Sequence, residues 1–121
     1  MKICDLSFGK IILLHKNLAE VIINEGVVID EVMVDEFHDS LLNSLESPFS
    51  LIINKKHSYS YTFASQKIIA HLKGIKAIAV ISNTSGGVMS TKTLISVNGN
   101  YKLNFKLFSK REEAESWLGS L

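Results

Sequence analysis

Apolar residues recur along this chain in two rhythms, a two-residue beat that suits strands and a three-to-four-residue beat that suits helices. The stretch "KIILLHKNLAEVIIN" holds two β-branched runs separated by "HKN", in which Asn17 can take the positive φ of a tight turn. It predicts a hairpin over about residues 9–15 and 18–24, preceded by a strand or a bulged extension through "KICDLSF". In the second arm Ala19, Val21 and Ile23 alternate with Glu20, Ile22 and Asn24, so one face is clearly apolar.

The helical beat begins at Asp30, a suitable N-cap for a helix to about residue 45, with Glu31, Asp35 and Glu36 near the positive end of its dipole. Met33, Phe37, Leu41 and Leu45 repeat at four-residue spacing, with Val34 and Leu42 beside them, as one core-facing stripe. "ESP" ends this helix, because the residue before a proline is pushed out of the α region, and "FSLII" follows as a strand. A second helix is predicted over residues 62–73, with Phe63, Ile68, Ile69 and Leu72 inward and Gly74 as its left-handed terminal residue. "IKAIAVI" is almost continuously apolar, as in a parallel strand covered on both faces. After "SNTSGG" a third helix is expected over about residues 86–97, and "NGN" supplies a turn. Leu103, Phe105 and Leu107 then alternate with Lys102, Asn104 and Lys106 in a last strand. Ser109 and Glu112 have the spacing of a capping box for a final helix, with Ala114, Trp117 and Leu118 as its apolar face.

The resulting order, ββαβαβαβα, predicts an α/β fold: a mixed sheet with alternating helices, two-layered or sandwiched, its later strands joined by right-handed crossovers. At 121 residues, one domain over 1–121 is expected, and no internal repeat is visible. The 13 Lys+Arg against 12 Asp+Glu leave a charge of +1, so no overall field favours nucleic acid or an anionic membrane. A single cysteine, Cys4, excludes an intramolecular disulfide; it points to a reducing, cytoplasmic setting and a structural thiol. The apolar runs "IILL" and "AIAVI" are too short to cross a bilayer, so no transmembrane segment is expected.

This order, with "IAVISN" and the closing "KLFSKREEAESWL", resembles the small STAS-like (SpoIIAA-like) proteins, relatives of anti-sigma-factor antagonists, over nearly the whole chain. The resemblance implies a regulatory or protein-binding module without catalysis. In the antagonists a Ser-Ser-Gly type motif after the central strand is phosphorylated by a partner kinase. The matching stretch here is "NKKHSYSYTFASQK", where Ser58, Ser60 and Thr62 stand in place of that motif without its glycine or aspartate. Other relatives, the lipid carriers of the CRAL-TRIO type, bind an apolar ligand in the same layer, with extra helices for which this chain is short.

The candidate chemistry lies at strand-to-helix turns, where free amides and a partial positive charge attract anions. A phosphate on Ser58, Ser60 or Thr62 could be held by Lys55, Lys56 and Lys67; alternatively Ser60 or Thr62 simply caps the helix, with Tyr59 and Tyr61 packed at its entrance. In "SNTSGGVMS", Thr84, Ser85, Gly86 and Gly87 could cradle an anion or ligand, or Thr84 or Ser85 could be an N-cap. The spacing of a nucleotide P-loop is absent from it. Both loops are expected at one edge of the sheet, as one shallow polar site. His15, His38, His57 and His71 have no metal-ligand spacing, and neither metal nor cofactor is expected. His57 beside Ser58 is the minimum for nucleophilic catalysis, but neighbours on an extended segment face opposite ways. Asp35, Glu36 and Asp39 read as a solvated helix face that could serve as a partner surface. The expected partner is another protein, with a small ligand as the alternative. A second copy could also pair through an edge strand, in the opening hairpin or in "KLNFKLF".

Overall fold

The computed structural model describes residues 2–98 and 104–121. Its elements run β1 (Lys2–Leu6), β2 (Gly9–His15), β3 (Leu18–Ile23), β4 (Val28–Ile29), α1 (Glu31–Ser44), β5 (Phe49–Asn54), β6 (Ser60–Tyr61), α2 (Phe63–Ile68), β7 (Ile75–Ile81), α3 (Ser85–Val97), β8 (Asn104–Phe108) and α4 (Arg111–Gly119). Six strands form one sheet in the order β1-β2-β3-β5-β7-β8, and β4 with β6 form a two-stranded parallel ribbon. The β1-β2-β3 part is antiparallel, and β3, β5, β7 and β8 are parallel. The molecule is therefore a mixed α/β protein, with a third antiparallel strand where a strand or a bulged extension was expected. That strand takes the free edge of the hairpin, leaving β1 and β8 as the sheet's two edges.

Alternation in the strands sorts side chains between two cores. Ile11, Val21, Leu51, Ile78 and Val80 meet Val34, Phe37 and Leu41 of α1 on one face. Ile52, Ala79 and Ile81 meet Ala114 of α4 on the other. β7 is thus buried on both faces, as its continuous apolar run requires. β3 is as well: Glu20 and Ile22, which alternate with its apolar face, are 7% and 6% exposed.

Asp30 caps α1 as the sequence predicts, its Oδ1 accepting from Met33 N–H at 2.9 Å. The stripe of Val34, Phe37, Leu41 and Leu45 is buried, at roughly 1.5–3 kcal/mol for each large side chain. Leu42, placed beside that stripe from sequence, is instead exposed. His38, a helix-surface residue by spacing, turns its Nε2 to the Ile69 carbonyl at 2.8 Å.

The second helix is shorter than expected, ending at Ile68. Ser65, wholly buried, docks it by donating from Oγ to the Ile29 carbonyl at 2.8 Å, so the helix rolls Ser65 inward and Phe63 outward. Phe63 is 72% exposed, with Lys67 Nζ 4.3 Å from its ring centroid. The chain then turns to drop Ala70 into the core, and Gly74, at φ 112°, sits beyond these turns as a loop residue and not as the helix terminus.

Thr84 caps α3, accepting from Gly87 N–H at 3.1 Å. The expected capping box of Ser109 and Glu112 does not form: α4 begins at Arg111 after Lys110, without a side-chain cap. Arg111, the first residue of this helix, pairs instead with Glu20 at 2.7 Å and with Glu115 at 2.9 Å. Lys102 and Leu103 of the expected last strand, and Gly99 and Asn100 of the turn before it, lie outside the described residues.

Candidate ligand site

Lys55 follows β5 directly and extends its ladder, donating its backbone N–H to the Ile81 carbonyl at 3.0 Å. It continues the parity of Leu51 and Ile53, so its side chain goes to the core face under α3. The residue is 6% exposed, and Nζ donates to Ser90 Oγ at 2.8 Å. Ser90 Oγ donates in turn to the Gly87 carbonyl at 3.2 Å, and Thr91 Oγ1 to the same carbonyl at 2.8 Å. The ammonium lies 4.9 Å from the Tyr59 ring centroid and 5.5 Å from that of Tyr61. These two rings meet edge to face at 5.7 Å.

Among the described residues Lys55 makes no ion pair. Burial lowers its pKa to about 8. Burial also pushes the Tyr61 phenol up to about 12, and burial with the neighbouring Tyr61 holds Tyr59 well above its usual value. The phenols therefore stay protonated at neutral pH. All three groups line a cavity of about 40 Å³ between the sheet and the helices, whose other walls, Thr91 apart, are apolar, among them Val21, Ile23, Ile53 and Leu94.

The two loops expected to share one shallow polar site both leave the carboxyl ends of the parallel strands β5 and β7, but Lys55 turns inward. It reaches the second loop only through Ser90 and the Gly87 carbonyl. It is therefore not placed to hold a phosphate on the exposed Ser58 or Ser60, whereas Lys56 is exposed. Ser58 N–H donates to Glu25 at 3.0 Å, and Ser60 belongs to β6, strapped to β4. Thr62 caps α2, its Oγ1 accepting from Ser65 N–H at 3.2 Å. His57 Nδ1 lies 4.0 Å from Glu25, the same carboxylate that accepts from the Ser58 backbone N–H. Ser85 and Gly86 are exposed at the start of α3, and Gly87 packs on the buried Ser82 Oγ, which has no hydrogen-bond partner among the described residues.

On α1, Asp35 and Asp39 face solvent between the exposed Val32 and Leu42. Glu36, half-exposed beside them, is tied to a neighbouring segment. It accepts from Ser7 Oγ and Ser7 N–H, both at 2.7 Å, which ties α1 to the first turn and lowers its pKa. Cys4 Sγ contacts Ser44 Oγ at 3.3 Å, half-buried. Among the described residues no three His, Cys, Asp or Glu side chains gather into a metal site, and no helix is long and apolar enough to cross a membrane.

Residues not singled out from sequence complete the picture. Ser90 and Thr91 carry no motif, and only the inward parity of Lys55 could have pointed to them. On the opposite face Glu20 accepts from Arg111 at 2.7 Å and from Asn54 at 3.0 Å. The Arg111 guanidinium lowers the Glu20 carboxyl below its usual 4.5 despite burial, with help from Asn54 and Lys56. A carboxyl lowered in the folded state adds stability above the unfolded value and loses it as pH falls through the folded one. Wild type is therefore expected to exceed Glu20→Gln in unfolding free energy at pH 6, with the gap closing as pH falls through 4.5 and below. Paired urea melts check this; a gap that stays constant with pH would remove the ion pair from the account. In comparisons with known proteins, no family model, no curated protein and no solved structure matches this chain.

Proposed function

We propose that this protein is a non-enzymatic binding module of STAS-like type whose ligand is an anionic small molecule. The observation that supports this is the Lys55 ammonium, buried at an apolar cavity without a carboxylate partner among the described residues. A buried charge is normally paired, so an uncompensated one is a position for a counter-charge supplied from outside. Its place, at the carboxyl end of a parallel strand and against the first turns of a helix, is where open α/β sheets take ligands. The lone Cys4 fits a reducing cytoplasm.

A second reading is a phosphorylation-tuned protein-binding module. It is favoured by the exposure of Ser58 and Ser60 beside Lys56, and of Asp35 and Asp39 on α1. One experiment separates the two: native mass spectrometry of the protein from its own host, compared with the denatured mass. The ligand reading expects an added mass that leaves on denaturation. An increment of one phosphate that survives denaturation and maps to Ser58, Ser60 or Thr62 would favour the switch. A bare mass in both states, with no stabilisation by any added anion, would overturn the ligand reading.

A further inference from the structure

Resting on the ligand reading, we infer that the cavity beside Lys55 takes a short-chain monocarboxylate, its charge on Lys55 Nζ and its alkyl end among Val21, Ile23, Ile53 and Leu94.

Charge sets the first limit. The site offers one cation, and among the described residues no second charged group lines the cavity. A single negative charge would balance Lys55, whereas a phosphate dianion would leave a net charge in an apolar enclosure. Donor geometry agrees. An ammonium has three N–H donors and Ser90 takes one, while a carboxylate has two oxygens to receive the others. The Tyr59 and Tyr61 phenols keep their protons, and because they share one hydrogen bond with each other, one O–H is left to donate.

The walls set the second limit. Apart from Lys55, the phenols and Thr91, every lining side chain is apolar, and the Thr91 hydroxyl already donates to the Gly87 carbonyl. A hydroxylated or amino-substituted acid would bury polar groups without partners, at about 1–3 kcal/mol each. The body of the ligand is therefore hydrocarbon.

Size sets the third. About 40 Å³ is free, against roughly 10–15 Å³ for a single water, so the space suits about three or four heavy atoms. Acetate lies in that range, propionate is one atom beyond it, and butyrate is at the limit of what small side-chain shifts could admit. A long-chain fatty acid would have to part the helices from the sheet, against an interior that is otherwise close-packed.

The test is thermal unfolding of the full chain with sodium acetate, propionate, butyrate, dodecanoate or phosphate at matched ionic strength. Amide shifts of labelled protein serve as a second readout. Acetate or propionate is expected to raise the Tm of wild type by about 10 °C at a hundred times its Kd. It should move the Lys55 and Ser90 amides and leave the Tm of Lys55→Met unchanged. An equal rise in Lys55→Met would overturn the site. Binding of dodecanoate or phosphate in place of the short acids would overturn the ligand class while leaving the ligand reading intact. No response to any anion, together with a bare native mass, would overturn both.

Discussion

Lys55→Met is expected to unfold with about 3 kcal/mol more free energy than wild type at pH 7 in the absence of ligand. Burial lowers the amine from 10.5 to about 8, and each such pH step corresponds to about 1.4 kcal/mol. Below pH 8 the folded and unfolded chains both hold the proton, and the folded one carries the penalty of burying it. As pH rises from 8 toward 10.5 the unfolded chain binds more protons than the folded one, so wild-type stability rises and the advantage of Lys55→Met shrinks. The raised phenols of Tyr59 and Tyr61 act in the opposite sense above pH 10, which leaves pH 8 to 10 as the window in which the gain is visible. Urea melts of both proteins at pH 7 and pH 9.5 measure it. A methionine variant less stable than wild type at pH 7 would mean that Ser90 and the two rings already compensate the charge. A group that weakens the fold at the pH where the protein is used fits a binding role better than a structural one.

Gly9→Ala is expected to lower stability by about 3 kcal/mol and the Tm by about 10 °C. Gly9 opens β2, opposite Ile23 in the register, and a methyl built on it would collide with the Ile22 carbonyl oxygen. Both sides of that contact are backbone, so neither can swing aside, and β2 and β3 must separate. The restriction is one of space, since the φ of Gly9 is outside the left-handed region. Gly86→Ala is the matching control. Nothing lies within 4 Å of its added methyl, the residue is helical, and alanine is preferred there by about 1 kcal/mol. Calorimetry of the pair tests this; equal small effects would show that the opening strands can spread to admit the methyl.

Much of the architecture was legible because local chemistry and burial agree there. Asp30 with its apolar stripe, the alternating strand from Leu18, the unbroken "IKAIAVI" and Thr84 before its helix all form as their patterns imply. Readings failed where a distant partner decides the outcome. Ser109 makes no cap, and Arg111, which opens that helix, is paired with Glu20, far away in sequence. Phe63 faces solvent because Ser65 finds the Ile29 carbonyl. The tie of Glu36 to Ser7 of the first turn likewise depends on a residue distant in sequence. In the candidate site, Lys55 was singled out for its charge and its place after "FSLII". Its inward direction follows from strand parity with Leu51 and Ile53, but Ser90 required the packing of α3 on the sheet.

The sheet order β1-β2-β3-β5-β7-β8 also bears on how the molecule is made. Each strand of the main sheet lies beside the one synthesised before it, so no later strand has to be threaded between two already paired. A nascent chain leaving the ribosome can accrete the sheet one strand at a time, with α1 folded onto it once β5 has docked on β3. At every stage a single growing edge awaits its neighbour, and the wait is only one helix and one strand of synthesis long.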